Sequence, residues 1–240
     1  MATREEVLRE LGLAPQWRLR RAPTAAVDVA ERRSADAPAD DAGARRARIA
    51  ALDAEALVAD IAGCTACALC RTRRNTVPGV GDPKARWMFI GEAPGADEDA
   101  QGEPFVGQAG RLLDNMLGAL GLARTHGVYI ANVLKCRPPN NRTPAPLEVE
   151  ACLPYLDRQI ELIAPTLIVA LGKSAASALL RSDAPVAGMR NRVHRYRGIP
   201  LIVTYHPAYL LRTPADKAKA WEDLLFARRT LREALAVAAG

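Results

Sequence analysis

The 240-residue sequence contains no uninterrupted apolar run approaching the ~18 residues that a membrane-spanning helix requires. A transmembrane protein is therefore excluded, and an apolar content of 49% with 25% charged residues excludes wholesale disorder. The segment Met1 to Glu10 lacks the apolar stretch of a secretory signal, so the expected compartment is the cytoplasm, a reducing one. Lysine is scarce: five Lys stand beside 28 Arg, so the formal charge of +6 reflects an Arg-rich and Ala-rich composition before it reflects a polyanionic partner. Clustering carries more weight. Arg71, Arg73 and Arg74 form one group, and Arg190, Arg192, His194, Arg195 and Arg197 another, each equally readable as a solvated face. No long heptad pattern is present, and a monomer is the default.

Residues 1 to about 50 differ from the rest. After a short amphipathic stretch from Val7 to Leu13 come Ala, Pro, Asp and Arg with little apolar periodicity, which predicts a mostly disordered tail before a single domain over 51–240. Its ten Arg and eight acidic residues nearly cancel, so it is not a basic arm.

Helical spacing from Ile49 to Ile61 predicts a helix ending near Gly63. Four apolar runs, Trp87 to Ile90, Val128 to Val133, Leu167 to Leu171 and Ile199 to Val203, suit buried strands. Helical patterns separate them at Ala109 to Leu120, Pro146 to Ile163 with a kink expected at Pro154, and Lys173 to Leu180, and a last helix is expected over Ala215 to Ala238. Such alternation predicts an α/β fold with a parallel sheet between two helical layers. Parallel sheets bind ligands beyond the carboxyl ends of their strands. Gly91 to Gly95, Asn132, Gly172 and His206, each ending or following a strand, should then share one rim.

The five cysteines are Cys64, Cys67, Cys70, Cys136 and Cys152, and in a reducing compartment they argue for a metal site over disulfides. Cys64-x-x-Cys67 presents two thiolates from one turn, while Cys136 and Cys152 flank a proline-rich loop that can offer two more. Four thiolates suit an iron–sulfur cluster or a structural zinc. Cys64-x-x-Cys67-x-x-Cys70 is a rival set, and several unliganded buried thiols are a third possibility.

The string Gly91-Glu92-Ala93-Pro94-Gly95, continued by Gly102-Glu103-Pro104-Phe105-Val106-Gly107-Gln108-Ala109-Gly110, is a long strand-end loop entering a helix. Its glycines allow close backbone approach to a ligand, and the helix start offers free N–H groups, with neither a Walker lysine nor a dinucleotide fingerprint. Together with A-N-V-L-K-C-R-P-P-N-N-R-T-P from Ala131 and H-P-A-Y-L-L-R from His206, this string resembles the family 4, iron–sulfur, uracil-DNA glycosylases from about Cys64 to Arg212. The resemblance implies a three-layer α/β/α fold with a central four-stranded parallel sheet, removal of uracil from single- or double-stranded DNA, and a structural [4Fe-4S] cluster. It maps the cluster ligands onto Cys64, Cys67, Cys136 and Cys152, leaving Cys70 as a spare thiol.

The chemistry accounts for the residue types. Uracil in a duplex must be extruded into a pocket that grips its ring and reads its pairing edge. Gly91 and Ala93 belong to the loop against which the base lies, and Phe105 supplies a stacking surface. The amide of Asn132 can donate to uracil O4 and accept from N3–H; cytosine presents the opposite pattern, so a fixed amide rejects it. Bond cleavage builds positive charge on the sugar and negative charge on uracil, chiefly at O2. The resemblance assigns the donor at O2 to His206, and Glu92 can hold the attacking water and favour the cationic sugar. Each of these also has a structural reading: core aromatic, strand-end cap, surface histidine, capping carboxylate. Glu98 is either a block against the thymine methyl or part of a solvated acidic loop. Tyr209, Leu210 and Leu211 follow the histidine where the superfamily places a wedge into the duplex; Leu210 is the choice, and Leu211 has core as an alternative reading. Lys173 and Ser174 either meet phosphate or begin a helix.

Three functions compete: a glycosylase that turns over, a related uracil-DNA-binding protein trapped covalently on its product, and a noncatalytic iron–sulfur DNA-binding module. Trapped relatives carry an additional histidine after the second strand. Lys135-Cys136-Arg137-Pro138-Pro139-Asn140-Asn141 has none, which favours turnover.

Overall fold

A computed structural model describes residue 10 and residues 39–239. The chain divides into two units, residues 1–42 and 43–240. Of the first, only residues 10 and 39–42 are described, so most of the expected tail lies outside the described residues. Its end, however, is helical: Ala39–Ala50 form α1. Ile49 of α1 is fully buried, and the Arg45 guanidinium lies 4.9 Å from the centroid of the Tyr155 ring while donating to the carbonyl of Ala151. The helix expected over residues 49–61 is split at residues 51–53. Asp53 caps a new helix, α2 (Ala54–Gly63), by accepting from the N–H of Ala56 at 2.8 Å.

The following elements are β1 (Val80–Gly81), β2 (Trp87–Gly91), α3 (Ala96–Gln101), α4 (Gln108–Ala119), β3 (Val128–Asn132), α5 (Pro146–Ile163), β4 (Leu167–Leu171), α6 (Lys173–Leu180), α7 (Val186–Met189), β5 (His194–Tyr196), β6 (Ile199–Thr204), α8 (Pro207–Arg212) and α9 (Lys217–Ala239). They form a six-stranded sheet in the order β1-β3-β2-β4-β6-β5. The four central strands are parallel, as expected, and the short edge strands β1 and β5 are antiparallel additions to the four-stranded expectation. Helix α5 runs without a break through Pro154.

Alternation along the strands divides the core in two. Met88, Ile90, Ile168, Ala170 and Val203 pack against α2, α5 and α6 through Leu57, Ile61, Leu156 and Ala176. Trp87, Phe89, Val169 and Ile202 face the other way, onto Leu113 and Leu117 of α4 and Leu224 and Ala227 of α9. The β2-to-β3 connection thus crosses one face and the connections through α5 and α6 cross the other, as right-handed crossovers demand. Because β2 has β3 on one side and β4 on the other, the connections leave in opposite directions there. The crevice beyond the carboxyl ends of β2 and β4 is the topological switch point. Among the described residues, no helix is long and apolar enough to cross a membrane.

Candidate active site

The parallel register places Gly91 opposite Asn132 at the ends of β2 and β3, and Gly172 after β4 donates to Thr204 of β6 at 2.8 Å. The strand-end rim expected from the sequence is therefore formed. A cleft of about 1090 Å³, open mouth included, lies over it, lined by Glu92, Ala93, Gly95, Glu98, Phe105, Asn132 and His206.

Its floor depends on two glycines. A Cβ at Gly91 would meet the Asn132 amide oxygen and come within 2.6 Å of Phe105 Cζ, so only glycine lets these two side chains approach the end of β2. A Cβ at Gly110 would collide with the Phe105 carbonyl. Phe105 is buried with a φ of 57°, a left-handed conformation uncommon for a bulky residue. Arg124 holds it there, donating to the carbonyls of Pro104 at 2.8 Å and of Phe105, with Nε on Asp114. Arg124 was not legible as a site residue; it stands alone in a turn with no motif around it.

Asn132 is 2% exposed, and its side-chain Oδ1 is buried with no partner among the described residues. An orphaned acceptor costs stability unless a ligand satisfies it. His206 caps α8, its Nδ1 accepting from the N–H of Ala208 at 3.1 Å. Burial, and then the charge of Arg212, push its pKa down to about 4. A neutral imidazole accepting at Nδ1 carries its proton on Nε2, which leaves that nitrogen a donor. Glu92 is half-buried, and burial raises its pKa against the opposing hydrogen bond of Ser174. It borders both the cleft and a neighbouring cavity that includes Lys173 and Ser174.

Other expected residues have further partners or stand elsewhere. The Glu98 carboxylate accepts from the backbone N–H groups of Gly95 at 3.0 Å, Val106 at 3.1 Å and Gly107 at 3.3 Å, so it ties the loop together instead of standing solvated. Leu210 is 1% exposed, packed beside Leu224 and Trp221, whereas Leu211 is 42% exposed. The choice of Leu210 is thus corrected: adjacent residues on a helix point about 100° apart, and it is Leu211 that turns outward. Arg190 is not a free phosphate contact. Its Nε donates to buried Asp223 at 2.7 Å, another nitrogen to the carbonyl of Lys219, and its guanidinium covers Tyr205. Arg192 is exposed.

All five cysteines line a second cavity, of about 350 Å³ with its mouth, which also includes Arg73 and Lys135. Among the described residues, no three His, Cys, Asp or Glu side chains form a group that could hold a single metal ion. N–H groups point at three of the sulfurs: Arg45 at Cys64 (3.7 Å), Arg73 at Cys136 (3.2 Å) and the backbone of Lys135 at Cys152 (3.2 Å). Burial raises the thiols of Cys67 and Cys136, and that of Cys152 up to about 12. As ligands they would be thiolates, and the surrounding cations suit the negative charge that a sulfur-ligated group brings. The donor set therefore fits an iron–sulfur group.

A sequence model of the uracil DNA glycosylase superfamily matches residues 78–225. The chain is 49% identical over 166 residues to the type-4 uracil-DNA glycosylase of Archaeoglobus fulgidus, covering 66% of this chain and 83% of that protein. It is 46% identical over 164 residues to the type-4 enzyme of Thermotoga maritima, covering 65% and 82%. With the type-5 uracil-DNA glycosylase of Thermus thermophilus the identity is 35% over 153 residues, covering 54% and 68%.

Proposed function

The chain belongs to the uracil DNA glycosylase superfamily and is a uracil-DNA glycosylase of DNA repair; on that premise we propose that the cleft between Phe105, Asn132 and His206 receives the extruded uracil, whose N-glycosidic bond is hydrolysed beside Glu92. The observation that carries this assignment is the buried Oδ1 of Asn132, which has no hydrogen-bond partner among the described residues, on a side chain that lines the cleft. Uracil N3–H satisfies it, and the same amide donates to O4. Cytosine offers a lone pair to that oxygen and an amino group to the donor, so it leaves both unpaired.

Phe105 grips the ring by stacking. Water held by the Glu92 carboxylate attacks C1′ as the C1′–N1 bond breaks; the bonding pair departs on uracil, and a water proton passes to Glu92 before reaching solvent. The Nε2–H of neutral His206 donates to O2, where the leaving anion concentrates its charge, and it stabilises that anion without transferring its own proton. A raised carboxylate pKa suits a group that must accept a proton during attack.

Cys64, Cys67, Cys136 and Cys152 would hold a [4Fe-4S] cluster. Bound there, it would supply no reaction chemistry, and these four residues would tie the segment before β1 to the loop and helix after β3. Exposed Leu211 takes the wedge position on α8.

Release of free uracil from single- and double-stranded DNA carrying one uracil tests the reading. Multiple turnovers leaving alkali-labile abasic sites are expected. A covalent adduct or simple retention would overturn it in favour of a trapped or noncatalytic protein.

A further inference from the structure

Lys135 borders the cysteine cavity, but its ammonium makes its hydrogen bonds to residues that do not line it. The residue lies between Asn132 and Cys136 and is 1% exposed. Its ammonium donates to the main-chain carbonyl of Asn132 at 2.7 Å and to Gln159 Oε1 at 2.6 Å. Gln159 is buried as well, its Nε2 donating to the Pro78 carbonyl at 2.6 Å, so it is itself fixed. Among the described residues, Lys135 forms no ion pair with a carboxylate. A buried ammonium without a carboxylate is expensive, and packing alone would be served as well by methionine.

Its anchors indicate what the charge does. Cys152 and Gln159 both belong to α5, two helical turns apart and hence on one face. The backbone N–H of Lys135 points at Cys152 Sγ, and its carbonyl accepts from Val77 at 2.8 Å. Lys135 is therefore fixed on one side to the helix that carries a cysteine of the second cavity, and on the other it grips the residue whose amide faces the cleft. Among the described residues, none holds that amide by its Oδ1. Its aim is set by the main chain, through the β2 ladder and the Lys135 clamp on its carbonyl.

We propose that Lys135 is a positioning residue for base recognition, its buried ammonium clamping the main chain of Asn132 to Gln159 so that α5, the helix bearing Cys152, holds the reading amide on target. This rests on the assignment of Asn132 as the base reader. An amide discriminates uracil from cytosine only while it is held still, so releasing the clamp weakens recognition of the base without touching contacts to the DNA backbone.

The test uses full-length protein matched to wild type in iron content: Lys135→Met, Asn132→Ala and the double variant. The readouts are inhibition by free uracil, and the single-turnover excision rate at saturating DNA against the concentration dependence on DNA. Lys135→Met should weaken uracil inhibition and slow excision by about tenfold each, the scale of one lost charge-assisted hydrogen bond, while half-saturation by DNA stays within about twofold. The double variant should be no worse than Asn132→Ala, because both act through one amide. Wild-type inhibition and rate in Lys135→Met, or a double variant in which the two losses multiply, overturns the proposal. If Lys135→Met does not take up iron, Gln159→Leu removes the second anchor and keeps the charge. It should weaken uracil inhibition, and unchanged inhibition in iron-loaded Gln159→Leu overturns the clamp. Asn132→Ala separates two failures: without effect there, the base-reading assignment has failed and the clamp with it; with an effect there and none from Lys135, only the clamp has failed.

Discussion

The imidazole of His206 lies against the ring of Phe105, centroids 5.5 Å apart and planes inclined by 30°, although the two residues come from loops a hundred positions apart in sequence. Phe105 closes on the end of β2, where Gly91 leaves room, and His206 on Gly172 at the end of β4. The contact excludes water from one face of the imidazole, which favours the uncharged ring, and the Ala208 N–H takes Nδ1. One arrangement thus supplies the stacking surface and sets the tautomer that turns a donor toward the leaving group.

His206→Ala should slow single-turnover uracil excision by roughly a hundredfold or more, the scale of one lost anion-stabilising donor, with little change in affinity for undamaged DNA. Excision at a near-normal rate would remove His206 from the chemistry.

The acid limb of the rate profile should belong to Glu92. Its carboxylate is required ionised and its pKa is raised, so the rate should climb with pH through a value above the usual glutamate range and then level off. His206, held down to about 4, contributes no inflection between pH 5 and 8. Its linkage to stability has a definite sign: the unfolded histidine takes up a proton near 6.5 and the folded one does not, so this contribution is lost as pH falls from about 6.5 toward 4. In Glu92→Gln the residual rate should be lower and its acid limb absent. An unshifted limb in that variant would assign it to another group.

Glu98→Ala should lower stability by about 1–3 kcal/mol, because three backbone N–H groups lose a charged acceptor. Excision should fall as the loop carrying Phe105 loosens, yet the preference for uracil over thymine should survive. A variant of normal stability that excises thymine would restore Glu98 as a steric filter.

The boundaries of β4, α5 and α6 coincide with the apolar runs that foretold them, since strands buried on both faces and two-sided helices carry long uninterrupted signals. Edge strands β1 and β5 have two and three residues, half-exposed or exposed, too short for alternation to register. The split after α1 had a signal in Asp53, a capping residue inside what otherwise reads as one helix. In the site, residues at strand ends were legible because parallel topology forces them to one rim. Partners set by loop folding were not: Glu98 turns its carboxylate inward to backbone N–H groups, and Arg190 leaves the linear Arg cluster to pair with Asp223 from α9. Linear proximity of charges says little about where each side chain points.

Metal analysis of anaerobically prepared protein should find iron with sulfide, and visible absorption from the bound cluster. Cys136→Ser should lose both absorbance and solubility, because one segment is then no longer cross-linked, while Cys70→Ser should keep both. One zinc and no iron would sink the cluster, and a colourless Cys70→Ser would change its ligand set.

Asn132→Asp tests recognition apart from general damage to the fold. A protonated aspartic acid can donate toward cytosine N3 while its other oxygen accepts from the C4 amino group, reversing the pattern presented to uracil. Burial of this position favours the neutral acid, and the neighbouring Lys135 ammonium opposes it, so the active form should gain population as pH falls. Uracil excision should drop and a slow cytosine-excising activity should appear, faster at low pH and strongest where cytosine is mispaired or single-stranded and so cheaper to extrude. The measurement is abasic-site formation at a single cytosine across pH, with wild type as control and equal iron content as proof of folding. Cytosine excision that rises with pH would mean the carboxylate, not the acid, does the work. Undiminished uracil excision would remove Asn132 from the pairing edge altogether.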